Sequence, residues 1–215
     1  MSPVIDCTTE EGQANGIVAA AEAVRRGELV VMPTDTVYGL GADAFAPDAV
    51  TAMLAAKGRG REMPPPVLVP SPQTVDGLAA NVPAYARDLI EAFWPGPLTL
   101  VLIAQSSLMW DLGETNGTVA LRMPQDETAL KLLAEVGPMA VTSANVSGQA
   151  PAQSILVAAA QLGPSVSVYL DAGPSASALP STILDCTGDT PLILRAGALS
   201  AGRIQEVLGD IELRN

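Results

Sequence analysis

Short apolar runs alternate with helical spacings of apolar residues along most of this chain, and this alternation limits the fold more than any other feature. Strands separated by helices predict a mixed α/β fold. Helices are predicted at residues 16–28, 47–57, 83–93, 126–136, 152–162 and 200–208. Strands are predicted at residues 29–32, 67–69, 98–104, 118–122, 139–142, 166–170, 182–186 and 192–194. With 215 residues, 48% of them apolar, the chain is expected to form one domain, residues 1–215, around a sizeable core.

The charge balance excludes several classes of function. The sequence has 11 Lys and Arg residues and 23 Asp and Glu residues, which gives a net charge of −12. This charge argues against a protein whose main role is to bind nucleic acid or an anionic membrane. The sequence has no histidine, so catalysis by Ser-His-Asp or Cys-His groups is excluded. Two cysteines and no apparent targeting segment or membrane span favour a cytoplasmic protein.

Three of the scarce basic residues fall within five positions, Lys57, Arg59 and Arg61, beside glycines at a predicted helix end. A point charge and planar guanidiniums suit phosphate or carboxylate oxygens, so this cluster is a candidate anion site. The alternative is that Lys57 complements the helix C-terminus and the arginines are solvated surface residues. The residues alone leave these two interpretations about equal.

Two polar segments follow predicted strands. Residues 136–170 carry no charge and contain VTSANVSG at 141–148, whose hydroxyls, amide and backbone N–H groups suit a nucleotide or small polar ligand. An ordinary turn explains this segment better when it is taken alone. The segment PTDTVYGLG at 33–41 places polar side chains at a strand's carboxyl end, where α/β proteins bind ligands, although a turn capped by Asp35 is equally compatible. The phosphate-binding pattern G-x-x-x-x-G-K-[ST] is missing.

Taken in order, seven segments make the chain resemble the threonylcarbamoyl-AMP synthase family of YrdC-like proteins. The resemblance covers about residues 15–208. The segments are PTDTVYGLG at 33–41, KGR at 57–59, FWPGPLT at 93–99, VALRMP at 119–124, TSANVSG at 142–148, STILD at 181–185 and ILRAG at 193–197.

The resemblance implies a single YrdC-like domain, with a twisted mixed β-sheet and flanking helices around a ligand groove. It implies an enzyme that joins L-threonine, bicarbonate and ATP into L-threonylcarbamoyladenylate and pyrophosphate. The product would pass to tRNA threonylcarbamoyl-transferase proteins for modification of tRNA beside the anticodon. A Mg²⁺ ion would be bound by phosphates, with no protein side chain as ligand. Direct binding of tRNA is expected to be weak or missing.

The resemblance also assigns site residues. The catalytic residues would be Lys57 and Arg59. ATP would be bound by Lys57, Arg59, Arg61, Thr118, Ser143, Asn145 and Arg195. Threonine would be bound by Thr34, Arg122 and Ser181, with the Arg122 guanidinium paired to the threonine carboxylate.

The sequence departs from the family pattern after residues 57–59. Gly60 stands where the family usually has proline, and PPPVLVPS at 64–71 replaces a segment that ends in histidine. We therefore expect the pocket wall near residues 66–71 to be particular to this chain. The second C-terminal domain of the long family members is also not expected.

Two alternative functions stay open, an RNA-binding or ribosome-associated module and a carbamoyl-transfer domain. The low content of basic residues disfavours the RNA-binding module.

Overall fold

One mixed β-sheet contains all the strands found in the described residues of this computed structural model, which are 2–175, 177 and 179–214. Its strand order is β1-β8-β2-β3-β7-β4-β6-β5-β9-β10, with both parallel and antiparallel neighbours. The strands are β1 (Val4–Asp6), β2 (Val30–Met32), β3 (Gly39–Asp43), β4 (Val67–Leu68), β5 (Leu98–Ile103), β6 (Thr118–Arg122), β7 (Met139–Ser143), β8 (Val168–Asp171), β9 (Thr182–Asp185) and β10 (Leu192–Arg195).

Five of the seven α-helices in the described residues begin at a side-chain N-terminal cap or, in α2, at a first-turn proline. Thr9, Asp126, Ser154 and Ser200 each accept a backbone N–H of the helix that follows, satisfying a donor that the helix leaves unpaired. The helices are α1 (Glu10–Arg25), α2 (Pro47–Lys57), α3 (Val75–Leu78), α4 (Ala84–Phe93), α5 (Glu127–Val136), α6 (Ile155–Leu162) and α7 (Ala201–Leu208).

Helices pack on both faces of the sheet. In β2, Val31 belongs to the larger apolar cluster, with α2, α4, α6 and α7, whereas Val30 and Met32 belong to a second cluster with α1 and α5. Because neighbouring residues of a strand point to opposite faces, the two clusters lie on opposite sides of the sheet. The mixed α/β fold predicted from the sequence is therefore confirmed.

The sequence prediction was wrong in four places. It missed β1, and it started α1 at residue 16, whereas Thr9 caps the helix and residues 10–15 belong to it. It also assigned no strand to residues 39–43, which form β3, and no helix to the single turn of α3. A Cβ atom at Gly39 would lie 2.7 Å from Cγ1 of Val141 on the neighbouring strand, so close packing requires glycine at this strand position.

Candidate active site

A cavity of about 390 Å³ lies along the sheet from β3 to β10. Its volume is in the range of small-molecule sites. Seven of the ten predicted site residues line it: Thr34, Arg59, Thr118, Arg122, Ser143, Ser181 and Arg195. Pro64, Pro65, Pro66 and Leu68 also line it, so the segment that departs from the family pattern does form part of the wall. The structure thus brings together residues that are far apart in the sequence, from Thr34 to Arg195.

Three guanidiniums, from Arg59, Arg122 and Arg195, give this cavity its positive charge. In the described residues, Arg122 is the one of the three with a carboxylate partner. Arg59 donates to the Thr142 hydroxyl at 2.9 Å, and to two backbone carbonyls. Burial lowers the pKa of Arg195 from its usual value, and the charges of Arg122 and Arg59 lower it further. Because Arg59 and Arg195 form no ion pair with a carboxylate in the described residues, and because the like charges repel, the cavity is suited to an anion.

Arg122, at the end of β6, is buried and fixed on several sides. Its Nη2 donates to Oδ1 of Asp35 at 2.6 Å, its Nη1 to the Thr36 hydroxyl at 3.0 Å and its Nε to the Gly96 carbonyl at 3.0 Å. A guanidinium has five N–H groups, so each terminal nitrogen keeps one further N–H. Arg122 therefore retains donors for a carboxylate ligand.

Hydroxyl groups cluster beside Arg122 and Arg195. The Thr34 hydroxyl donates to the Val37 carbonyl at 2.6 Å. The Ser181 and Thr99 hydroxyls lie 2.8 Å apart. The guanidinium of Arg195 donates to both the carbonyl oxygen and the hydroxyl oxygen of Ser181. This arrangement of threonine and serine hydroxyls beside guanidiniums can bind a small polar molecule that carries a carboxylate.

Three predicted residues do not line the cavity. Arg61 is exposed and forms an ion pair with Asp111 at 2.7 Å. The Asn145 side chain is buried, and its amide donates to two carbonyls of the following turn. Lys57 is 2% exposed and donates to the backbone carbonyls of Ser143 and Asn145. Burial, and then the neighbouring Arg59, lowers the pKa of Lys57 to about 8. Direct contact of these residues with ATP stays a prediction.

The sequence analysis did not assign several polar residues that shape the cavity, among them Asp35, Thr36 and Thr99. Asp35 fixes Arg122, while Thr36 and Thr99 line the wall. Asp35 and Thr36 lie in the polar segment 33–41, which the sequence analysis had already described as a possible ligand-binding segment. Thr99 lies in FWPGPLT, where the apolar and proline residues around it gave no indication of a site.

Two further properties concern metals and membranes. Within residues 2–175, 177 and 179–214, no group of three or more His, Cys, Asp or Glu side chains is placed to hold a metal ion. None of the helices in that same part of the chain is long and apolar enough to span a membrane.

The fold and cavity define an α/β domain with a ligand-sized cavity lined by three arginines. The chain belongs to the Sua5/YciO/YrdC family, whose family model, described as "Telomere recombination", matches residues 22–197. A Mycobacterium tuberculosis relative with the provisional name threonylcarbamoyl-AMP synthase is 56% identical over 97% of this chain and 96% of its own length. The threonylcarbamoyl-AMP synthase of Pyrococcus abyssi is 38% identical over 90% of this chain.

Solved structures agree with this assignment. The P. abyssi Sua5 structure complexed with L-threonine matches with a TM-score of 0.93 at 35% identity, covering 99% of this chain. This chain spans 63% of that protein and 57% of the length of the P. abyssi synthase. The Escherichia coli YciO structure has a TM-score of 0.84 at 25% identity over 93% of this chain. A HypF structure at 19% identity shares the fold.

Proposed function

We propose that this protein is a threonylcarbamoyl-AMP synthase, a nucleotidyltransferase that makes L-threonylcarbamoyladenylate and pyrophosphate from L-threonine, bicarbonate and ATP. The observation that carries the proposal is the cluster of Arg59, Arg122 and Arg195 on one cavity beside the hydroxyls of Thr34 and Ser181. The names of the relatives and the threonine complex of the P. abyssi protein support it.

The chemistry requires two bond-forming steps. The threonine amine attacks bicarbonate, forming an N–C bond and releasing water, to give a carbamate. A carbamate oxygen then attacks the α-phosphorus of ATP, and the bond from that phosphorus to the bridging oxygen breaks as pyrophosphate leaves. The two reactants of the second step, the carbamate and ATP, are both anions, so the protein's main tasks are to hold them in line and to neutralise their charge. Neither task requires histidine.

We assign the residues of the cavity to threonine and ATP by role. For threonine, Arg122 pairs with the carboxylate, and Thr34 and Ser181 offer hydroxyls. For ATP, Arg59 and Arg195 pair with phosphate oxygens, and Ser143 and Thr118 contact the nucleotide. Arg61 is 50% exposed and bound to Asp111, so it would have to exchange partners to contribute.

Magnesium fits this site as a companion of ATP. Among the described residues, those that line the cavity include no carboxylate, so they do not form an oxygen cage for the ion. The ion would be held by phosphate oxygens, where it offsets negative charge. We place the reaction in the cytoplasm, with tRNA threonylcarbamoyl-transferase proteins as consumers of the adenylate.

The test is pyrophosphate release that depends on threonine, bicarbonate and ATP together. We expect Arg59→Gln to lower kcat/KM by about 10²–10³-fold, the usual loss of one group that stabilises transition-state charge. Arg87→Gln is the matched control, because Arg87 is exposed and pairs with Asp76 on the surface. Release without threonine, or no release at all, would overturn the proposed function.

A further inference from the structure

Lys57 contacts the loop that follows β7 through its side chain and its backbone. Its ammonium donates to the backbone carbonyls of Ser143 and Asn145. Its own carbonyl accepts the N–H of Ser147 at 2.9 Å. The residue is 2% exposed and is not among those that line the cavity. The last residue of α2 is therefore attached at three points to residues 143–147.

Asn145 stabilises the same loop from within. It is 6% exposed, and its side-chain nitrogen donates to the carbonyls of Val146 at 3.0 Å and Gln149 at 2.8 Å. The backbone N–H of Val146 in turn donates to the Gln161 side chain at 2.9 Å. Of the residues in the loop 143–147, Ser143 is the one that lines the cavity.

The local chemistry explains why a lysine is needed here. Two backbone carbonyls converge on one buried point, where their negative ends repel each other unless a donor lies between them. An ammonium is compact and has three donors, so it can serve both acceptors at once. Removing it would leave two buried acceptors unpaired and free the loop to move.

We propose that Lys57 is a positioning residue, which fixes the loop 143–147 so that Ser143 presents to the nucleotide, and that it does not contact the phosphates. The inference depends on the proposed function, because it requires that ATP occupy this cavity. Phosphate contact then belongs to Arg59 and Arg195, which do line the cavity.

The two roles predict different dependence on phosphate number. A residue that pairs with the triphosphate matters most for ATP and least for AMP, since each lost phosphate removes part of the charge that it binds. A residue that positions the loop matters equally for both, since the loop contacts a part that the two nucleotides share.

The experiment measures dissociation constants of ATP, ADP and AMP by calorimetry, without threonine, for Lys57→Met, Arg59→Gln and the wild type. We expect Lys57→Met to weaken all three by one common factor, roughly ten- to hundredfold, as for loss of a charged hydrogen-bonding group. Arg59→Gln should weaken ATP most. Lys131→Met, an exposed lysine, should change none of them.

A loss for Lys57→Met that grows from AMP to ATP, or no loss, would refute the positioning role. If the wild type binds no nucleotide, it is the proposed function that fails. Hydrogen exchange gives a second readout, in which Lys57→Met should accelerate exchange at residues 143–147 and leave β2 protected. If this variant does not fold, Asn145→Ala tests the same loop, and its losses should again be equal for the three nucleotides.

Discussion

The pairing of Arg122 with the threonine carboxylate gives the sharpest prediction about substrate binding. The change is Arg122→Gln, which keeps a polar side chain and removes the guanidinium. Because Arg122 is proposed to contact threonine and not ATP, we expect the threonine KM to rise while the ATP KM stays near the wild-type value.

The structure supplies the magnitudes. A charge-assisted hydrogen bond contributes about 1.5–3 kcal/mol, so its loss raises the threonine KM by roughly 10- to 150-fold. The same change leaves Asp35 without its partner, and the two side chains are only 8% and 11% exposed. Breaking such a buried pair costs about 3–5 kcal/mol of folding free energy, which corresponds to a decrease of about 6–20 °C in Tm for a chain of this size.

The double variant Arg122→Gln with Asp35→Asn separates binding from stability. Replacing both partners by neutral side chains leaves no buried charge without a counter-ion, so most of the lost Tm should return. The threonine KM should stay high, since the guanidinium is still missing.

The assay is steady-state pyrophosphate release, with threonine varied at saturating ATP and ATP varied at saturating threonine. Melting curves identify the temperature at which each variant is folded. Equal rises in both KM values would show that Arg122 binds phosphate or a shared feature. An unchanged threonine KM in folded Arg122→Gln would refute the assignment.

Three more predictions address the other parts of the molecule. Arg195→Gln should weaken ATP binding by roughly ten- to hundredfold and threonine binding little, and calorimetry that finds the reverse would reassign Arg195. Gly197→Ala should lower the free energy of unfolding by about 1–3 kcal/mol or more in urea melts, because its Cβ would lie 2.4 Å from the Pro180 carbonyl oxygen. Gly202→Ala, which meets open space, should be neutral or slightly stabilising. In tRNA titrations followed by fluorescence anisotropy at about 0.15 M salt, binding should be weaker than micromolar, and tight binding that competes with ATP would favour the RNA-binding alternative.

The elements predicted best are those with signals at their own ends. Helix α2 was predicted to the residue, because Pro47 suits a first helical position and Gly58 adopts the left-handed conformation just after Lys57. Strand β3 carried no such signal. Its glycines are determined by side chains of β7, almost 100 positions further along the chain, and a local pattern cannot contain that information.

The site also has features that the local sequence predicts and features that depend on distant residues. The order of the motifs identified the segments that form the cavity, but not which way each side chain points. Ser143 is the last residue of β7 and lines the cavity, whereas Asn145 lies beyond the strand, where the alternation of faces no longer holds. Lys57 is turned inward by carbonyl groups that reach it from β7 and the loop beyond it, which the sequence around Lys57 does not reveal.

The cavity keeps its positive charge, in a chain of net charge −12, through the choice of partners for its arginines. On the surface, Arg26, Arg61 and Arg87 are paired with carboxylates. In the cavity, Arg59 and Arg195 donate instead to carbonyl and hydroxyl oxygens, which orient a guanidinium without neutralising it. Their charge is therefore left for a ligand, and burial, followed by repulsion from Arg122 and Arg59, lowers the pKa of Arg195. An anionic substrate that relieves this repulsion binds the folded state alone, so substrate binding and folding stability rise together.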